Sequence, residues 1–296
     1  MSWHRKYWDS VDQFYWNPSL LGLPSIPKGE WIKEGDRISV PANRVQNGGS
    51  IYARRGTAKE NAERMRRLEE PLNHIFEIAF GIAPDHVIEE LILKPAGISD
   101  SGPFERLGRE IAVRYTGFTD GNTTQQDGFF VSSSSAVGVE LKLGSTTWPG
   151  QVLKYISLIV AEERRSGSRE NVGLIFITPH PDASIVWEQC RAGPNGSIDP
   201  DYIERVPVSQ TNAAIREMLT DHGEHFRSVA DRLVMHHLSW SQFAAACWKV
   251  HLDASADGQR GETLSRLMKG LALAVAEQSG TAVHRDALAC GLQKST

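Results

Sequence analysis

The amino-acid sequence predicts an α/β fold: a mixed β-sheet flanked by helices, with core elements in the order α-β-β-β-α-β. Three observations lead to this expectation. Residues 58–82 have the spacing of an amphipathic helix, and short runs with a period of two follow them. A helical segment that begins at Pro149 then leads into the continuous apolar run Val172–Thr178, which is typical of a strand buried on both faces.

Residues 1–57 precede this core and are expected to form an irregular arm. Prolines and glycines interrupt regular structure there, and between them lie the aromatic residues Trp3, Tyr7, Trp8, Phe14, Tyr15, Trp16 and Trp31. These rings are interpreted in one of two ways. They cover the core of the main domain, or they form a docking surface for a partner or for unstacked bases.

The helix expected at residues 58–82 begins with a cluster of basic residues. Arg64, Arg66 and Arg67 belong to this cluster and have glutamates as neutralising neighbours on both sides. They are interpreted either as a solvated helix face or as contacts to nucleic-acid phosphates. Later in the helix, Glu77 falls on the apolar side, where a carboxylate needs a partner or a metal ion.

Three β-strands are expected after this helix. The residues Arg109–Tyr115 alternate in polarity and are assigned to the first core strand, antiparallel to the second. Asp127 stands at the head of the second strand, which continues through Gly128–Val131. A Ser-rich turn separates it from the third strand, Ala136–Leu143, whose apolar residues have a period of two.

The helix that follows is expected to begin at Pro149, because a proline in the first helical turn breaks no hydrogen bond. It is predicted to continue to Glu163, and the charged stretch Glu162–Arg169 is interpreted as its solvated exit. Gln151 and Tyr155 have i, i+4 spacing and are therefore expected to share one face of the helix.

A core domain over residues 58–208 is expected to be followed by a helical unit over residues 209–296. Its helical segments are predicted at AAIREMLTDHGEHF, VADRLVMHHL, FAAACWKVHL and LSRLMKGLALAVAEQ. Two histidine pairs in this unit are interpreted as a solvated turn and a helix end rather than as metal ligands. They are His222 with His225, and His236 with His237.

The composition excludes several classes of protein. The 296 residues are 40% hydrophobic and 23% charged with a net charge of −4, so any nucleic-acid contact must come from a local basic patch. The three widely spaced cysteines argue against a disulfide scaffold, a zinc site or an iron–sulfur cluster, and a reducing cytoplasm is the expected compartment. No apolar run reaches membrane-spanning length, and the N-terminus does not resemble a signal peptide.

Asp127 and the triplet Glu140-Leu141-Lys142 carry the chemistry that the sequence predicts. Asp127 and Glu140 are expected on adjacent strands, where they can converge on Mg²⁺ or Mn²⁺, ions that prefer oxygen ligands. The carbonyl of Leu141 is a candidate third ligand. Lys142 lies on the same strand face as Glu140, where it can orient or deprotonate a water molecule or offset charge on a phosphate. Metal-dependent phosphodiester hydrolysis is the predicted reaction.

Five residues of this region resemble the motif of the PD-(D/E)XK nuclease superfamily: Asp127, Glu140, Lys142, Gln151 and Tyr155. The Gln-x-x-x-Tyr element is similar to that of the RecB-like and lambda-exonuclease-like branches. The resemblance covers residues 125–155 directly and, with flanking elements, residues 58–181. It implies a restriction-endonuclease-like core and Mg²⁺-dependent hydrolysis of DNA. One departure is Gln126, which stands where many members have proline.

The resemblance also implies a role for each matched residue. Asp127 and Glu140 bind the metal ion, and Lys142 assists the nucleophile. Gln151 and Tyr155 lie beside the DNA backbone. DNA is therefore the expected partner, and the N-terminal arm or the C-terminal helices are expected to bind a further protein or a second copy of the chain.

Members of these branches usually carry a further glutamate on a helix that precedes the strands. Glu77 is the preferred candidate for this glutamate, and Glu89 and Glu90 are its rivals. Two other interpretations of the whole chain stay open. One is a non-catalytic nucleic-acid-binding or assembly protein that retains a nuclease scaffold, and the other is an α/β protein in which the motif occurs by chance. Binding of Mg²⁺ or Mn²⁺ distinguishes a nuclease from both.

Overall fold

The structure is a computed structural model that describes residues 2–7, 32–34, 37–39, 69–107, 126–144, 146–198, 201–207, 211 and 213–279. The chain divides into two compact units, residues Met1–Ile75 and Phe76–Thr296. The boundaries predicted from the sequence were after residues 57 and 208. In the first unit, Ile32–Glu34 (β1) and Arg37–Ser39 (β2) form an antiparallel pair. Most of the aromatic arm lies outside the described residues.

A five-stranded mixed sheet is the centre of the second unit, with its strands in the order β3-β4-β5-β6-β7. The strands are Glu105–Leu107 (β3), Gly128–Val131 (β4), Ser135–Leu141 (β5), Asn171–Thr178 (β6) and Leu233–Ser239 (β7). The pairs β3–β4 and β4–β5 are antiparallel, and β5–β6 and β6–β7 are parallel. The predicted α/β class, with a mixed sheet flanked by helices, is confirmed.

Helices precede, connect and follow these strands. They are Glu69–Ile82 (α1), Asp85–Ile88 (α2), Pro149–Ser166 (α3), Ala183–Cys190 (α4), Tyr202–Arg205 (α5), Ala213–Arg232 (α6), Trp240–Ala256 (α7) and Glu262–Ser279 (α8). Short π-helical and 3₁₀ turns, Glu89–Leu93 and Lys94–Ala96, continue from α2. Among the residues that the structure describes, no helix has both the length and the apolar character needed to cross a membrane.

The sheet has a packed layer on each face. On one face, residues of β5 and β6 pack with α3, α4 and α6, where Phe176 contacts Trp187 edge-on and Phe226 is fully buried. On the other face, aromatic rings of α1, β4 and α7 form a cluster: Phe76, Phe80, Phe130 and Phe243. Burial on both sides explains the continuous apolar sequence of β6, since apolar side chains are stabilised by removal from water.

Several predicted elements agree with the structure. The strand predicted at Val172–Thr178 is confirmed as β6, and the helix predicted from Pro149 is confirmed as α3, which continues to Ser166. The first core strand predicted at Arg109–Tyr115 lies outside the described residues. In the described part of the chain, the strand that precedes β4 and pairs antiparallel with it is β3.

The C-terminal segment differs from its prediction. The sequence predicted a helix over VADRLVMHHL, but residues from Leu233 onward form β7, whose burial alternates: Leu233 and Met235 are buried and Val234 is exposed. His237 therefore lies within a strand and not at a helix end, and its Nε2 is 2.9 Å from Thr178 Oγ1. Because β7 completes the core sheet, residues 209–296 do not form a separate helical unit in the described structure.

The charged residues at the end of α3 also differ from their prediction. Glu162 and Glu163 are buried rather than solvated, because α6 packs along α3. Glu162 Oε1 is 2.9 Å from Arg169 Nη2. Glu163 Oε2 is 3.0 Å from Arg232 Nη2 and 2.7 Å from His225 Nε2. The prediction is therefore wrong for Glu162, Glu163 and Arg169, which form a paired ionic cluster with residues of α6, whereas residues 164–168 are exposed as predicted.

Candidate active site

Strand β5 presents alternating residues to helix α3. Gly138 and Glu140 face the helix, as does Lys142, the first residue after the strand, and the intervening Val139 faces the opposite layer. Gly138 is required by a close approach, because a Cβ at this position would lie 2.2 Å from Cδ1 of Tyr155. The missing side chain therefore allows the tyrosine ring to cross the strand and reach the residues beside Glu140.

Asp127 is held against the end of β5 by a backbone contact. It immediately precedes β4, which pairs antiparallel with β5. Its Oδ2 accepts a hydrogen bond of 2.7 Å from the backbone N–H of Leu141, the residue after Glu140. This bond fixes the Asp127 carboxylate beside Glu140, so the two acids predicted to converge lie together at one end of the β4–β5 pair.

The Glu140 carboxylate is the centre of the site. The residue is buried, and both oxygens of its carboxylate have partners. Oε1 is 2.5 Å from Nε2 of Gln151 and 2.7 Å from Nζ of Lys142. Oε2 is 2.8 Å from the hydroxyl of Tyr155 and 3.4 Å from Nζ of Lys154. Charge-assisted contacts of this kind are stronger than neutral hydrogen bonds, so Glu140 is held firmly.

The beginning of α3 orients Gln151. Pro149 occupies the first helical turn, and Gln151 follows two residues later. Oε1 of Gln151 accepts the N–H of Trp148 at 3.3 Å, and its Nε2 donates to Glu140. Because both ends of the amide are engaged, the side chain is fixed between the helix start and the acid.

Tyr155 lies one helical turn further along α3 and is fully buried. Its hydroxyl is 2.5 Å from the carbonyl oxygen of Val139 and 2.8 Å from Glu140 Oε2, and its one proton serves either acceptor. The same oxygen accepts the N–H of Asp127 at 3.4 Å. Tyr155 thus links both strands that carry the acids, and the sequence prediction that it shares a helical face with Gln151 is confirmed.

Electrostatics differ between the two acids. Burial, and then the negative charge of Glu140, raise the pKa of Asp127 to about 7. Burial also disfavours the charged form of Glu140, but Lys154 and Lys142 outweigh it and hold the pKa of Glu140 below its ordinary value. Burial and both neighbouring acids raise the pKa of Tyr155, which keeps its hydroxyl protonated as a donor.

These donors fit a hard divalent cation. Two carboxylates lie close together, and burial and then the charge of Glu140 raise the pKa of Asp127, so a cation bound to both would stabilise their charged forms. Oxygen ligands of this type suit Mg²⁺ or Mn²⁺ rather than a thiophilic metal. The carbonyl of Leu141 belongs to the residue whose N–H fixes Asp127. Within the described residues, His, Cys, Asp and Glu side chains do not form any cluster of three or more.

Glu77 lies near Asp127, but the prediction that it is on the apolar side of its helix is wrong. The sequence placed Glu77 on the apolar side of its helix, but the residue is exposed. It lines a cleft of about 210 Å³ together with Asp127. Its rivals are engaged elsewhere: Lys94 is 3.4 Å from Glu89 and 2.9 Å from Glu90.

Lys154 is the member of the site that the sequence prediction missed. Its Nζ contacts Glu140 Oε2 and lies 4.7 Å from the centre of the Tyr155 ring. A signal for it exists in the sequence, because residue 154 follows Gln151 by three positions and precedes Tyr155 by one. Positions i, i+3 and i+4 share a helical face, so a lysine there belongs to the same surface.

The remaining candidate residues lie away from this site or outside the described chain. Arg64, Arg66 and Arg67 fall outside the described residues. His222 and His225 do not converge on a shared ligand: Nδ1 of His222 is 2.8 Å from Arg164 Nη1, and His225 pairs with Glu163. His225 therefore belongs to the ionic cluster between α3 and α6.

Comparison with known proteins gives no relative from which a function follows. Models of known families, curated proteins and solved structures were all compared with the chain, and none of them matches it.

Proposed function

We propose that this chain is a Mg²⁺- or Mn²⁺-dependent nuclease that hydrolyses DNA phosphodiester bonds on a restriction-endonuclease-like core. One observation carries the proposal. The Glu140 carboxylate contacts Lys142, Gln151 and Tyr155 at hydrogen-bond distance, and Asp127 is bonded to the next backbone N–H. Five residues that match a nuclease motif in sequence are thus neighbours in space.

This convergence goes beyond the sequence match. A chance Glu-x-Lys triplet on a solvated strand has no reason to contact a glutamine and a tyrosine from the following helix. Here both residues of the helix face donate to the same buried carboxylate, and Gly138 leaves the space that the tyrosine ring needs. Buried polar groups are costly unless each is satisfied, so such a set is typical of a functional site.

Each residue has a task that its chemistry suits. Asp127 and Glu140 would hold the metal ion, with the carbonyl of Leu141 as a further oxygen donor. When bound there, such an ion would supply polarisation of a phosphoryl oxygen and a lowered pKa of water. Lys142 orients or deprotonates the attacking water molecule, or offsets negative charge on the phosphate. Glu77, exposed in the cleft beside Asp127, is the candidate third carboxylate.

Gln151 and Tyr155 act as neutral positioning residues. Both place a donor on the Glu140 carboxylate without adding positive charge, so they orient the acid and leave the total charge of the site unchanged. The cytoplasm remains the proposed compartment, in agreement with the free, buried thiols of Cys190 and Cys247. DNA is the proposed partner.

The test is a cleavage assay on linear, circular and single-stranded DNA, with Mg²⁺ and with EDTA. We expect cleavage that requires the metal, and loss of at least about 100-fold in rate for Lys142→Ala, as for removal of other charge-stabilising groups. Lys249→Ala, which removes an exposed lysine of α7, serves as the control and should cleave normally.

Two outcomes would contradict the proposal. Cleavage that survives Asp127→Ala or Glu140→Ala in a folded protein would remove the site assignment. DNA binding without any metal-dependent cleavage would instead favour the non-catalytic alternative, a binding or assembly protein on a nuclease scaffold.

A further inference from the structure

Two buried lysines lie beside the Glu140 carboxylate. Lys142 Nζ is 2.7 Å from Oε1, and Lys154 Nζ is 3.4 Å from Oε2. All three side chains are largely buried, with exposed fractions of 9% for Lys142, 12% for Lys154 and 3% for Glu140. Both lysines also favour the charged form of Asp127, which is the second anion beside them in the metal-free protein. A divalent cation bound to the two acids would take over these negative charges and leave two buried lysines that need another anion.

The contacts of Glu140 also differ in how tightly they are made. Gln151 and Tyr155 donate at 2.5 and 2.8 Å, and Lys142 lies at 2.7 Å. Lys154 is the most distant partner, at 3.4 Å, and reaches Glu140 on a flexible side chain. If Glu140 binds a cation, Lys154 is therefore the partner whose contact is most easily released.

We propose that Lys154 is a second phosphate-binding residue of this site, which pairs with Glu140 in the metal-free protein and binds a nucleic-acid phosphate when Glu140 holds the metal. This inference rests on the proposed function. Lys154 is close enough to Glu140 to contact an anion bound beside the same metal. Its ammonium would then exchange one anionic oxygen, that of the carboxylate, for another, that of the phosphate.

If Lys154 exchanges Glu140 for a phosphate in this way, its removal should have opposite effects on the binding of the metal ion and of DNA. Lys154 repels a cation at Glu140 and competes with it for Oε2, so loss of the lysine should strengthen metal binding. Loss of the same lysine should weaken binding of DNA, but only when metal is present, because without metal the ammonium is engaged by Glu140. A lysine with a purely structural role would weaken both or neither.

The experiment measures Mn²⁺ affinity without DNA by calorimetry, and DNA affinity by fluorescence anisotropy of a labelled duplex in EDTA and in Ca²⁺. Lys154→Met should bind Mn²⁺ at least about threefold more tightly than the wild type. It should bind the duplex about tenfold more weakly in Ca²⁺, as for loss of one charge-assisted hydrogen bond, and nearly equally in EDTA. Lys154→Arg should restore DNA binding in Ca²⁺.

Lys249→Met controls for the loss of one positive charge and should change neither affinity. Unchanged or weaker Mn²⁺ binding by Lys154→Met, or an equal loss of DNA affinity in EDTA and in Ca²⁺, would overturn the inference. If Lys154→Met does not fold, Lys154→Gln, which keeps a donor toward Glu140, is used instead for the same measurements of Mn²⁺ and DNA affinity. A wild-type protein that binds no Mn²⁺ would overturn the proposed function itself, so the two failures are distinguishable.

Discussion

The ring of Tyr155 lies against the backbone of Gly138, at a distance that leaves no room for a side chain on the strand. We therefore expect Gly138→Ala to displace the ring and to destabilise the protein by about 1–3 kcal/mol, the usual cost of overpacking. Chemical denaturation measures this change. Gly144→Ala is the matched control, since a Cβ at residue 144 would meet no atom within 4 Å.

The same substitution should impair cleavage, because a displaced ring withdraws its hydroxyl from Glu140. Measurement at a temperature where Gly138→Ala remains folded separates this effect from unfolding. Full activity in a folded Gly138→Ala protein would show that the position of the ring is irrelevant to the chemistry.

The raised pKa of Asp127 predicts that the stability of the protein depends on pH. Its pKa in the folded protein, about 7, lies above the ordinary value of 3.8, so its contribution is fully present below that ordinary value and is lost as pH rises through 7. Asp127→Asn keeps an acceptor for the Leu141 N–H and carries no charge. We expect its melting temperature, in EDTA, to exceed that of the wild type at pH 8.

The difference in melting temperature between Asp127→Asn and the wild type should shrink toward zero as the pH falls to about 4, because both proteins are then neutral at residue 127. A difference that is independent of pH between 4 and 8 would contradict the raised pKa of Asp127.

Mg²⁺ should stabilise the wild type more strongly at pH 8 than at pH 6. A metal ion that binds Asp127 competes with the proton on its carboxyl group, and binding to the folded state alone raises the melting temperature. Thermal melts at several Mg²⁺ concentrations measure the effect. Asp127→Asn should lose most of the stabilisation by Mg²⁺ at both pH values. Glu163→Gln, which lies outside the site, should retain this stabilisation.

Gln151→Ala and Tyr155→Phe should reduce cleavage while leaving metal affinity within a few-fold of the wild type, because both residues are neutral and neither is expected to be a metal ligand. Asp127→Ala should lose both activity and metal affinity. Calorimetry with Mn²⁺ and the cleavage assay, on the same preparations, make the comparison. A large loss of metal affinity in Tyr155→Phe would place the tyrosine among the metal ligands.

Glu163 should contribute to stability but not to cleavage. Burial opposes its charge, but the Arg169 N–H, His225 and Arg232 outweigh burial and lower the pKa of Glu163. Its contribution is therefore present above the ordinary value of 4.5 and is lost as the pH falls through the lowered value. We expect Glu163→Gln to cost about 1–3 kcal/mol at pH 7 and less near pH 3. Denaturation at both pH values tests this, with cleavage at pH 7 unchanged.

The core elements were predictable where their burial is uniform. β6 is apolar throughout because both of its faces are covered, and α3 begins at a proline that marks the first turn. β7 was not predictable in this way. Its sequence LVMHHLS follows helical residues without a turn signal, and an apolar run of this length suits a buried helix as well as a strand. Pairing with β6 decides between them.

The candidate site was predictable because its spacing is tied to secondary structure. Glu140 and Lys142 share a strand face, and Gln151 and Tyr155 share a helix face. The contacts of Lys154 were not predictable from spacing alone, since lysines on helices are usually solvated. The burial of Glu163 was missed for a related reason: its partners on α6 are more than sixty residues away in sequence.

The indole N–H of Trp240 donates to the carbonyl of Lys142 at 2.6 Å, across 98 positions of sequence. A ribosome must therefore extend the chain beyond residue 240 before the backbone of this lysine has its final partner. Long-range contacts of this kind, together with the parallel pairing of β6 and β7, raise the contact order and slow folding. We expect the strand that carries Glu140 and Lys142 to reach its native environment late, after most of the protein has been synthesised.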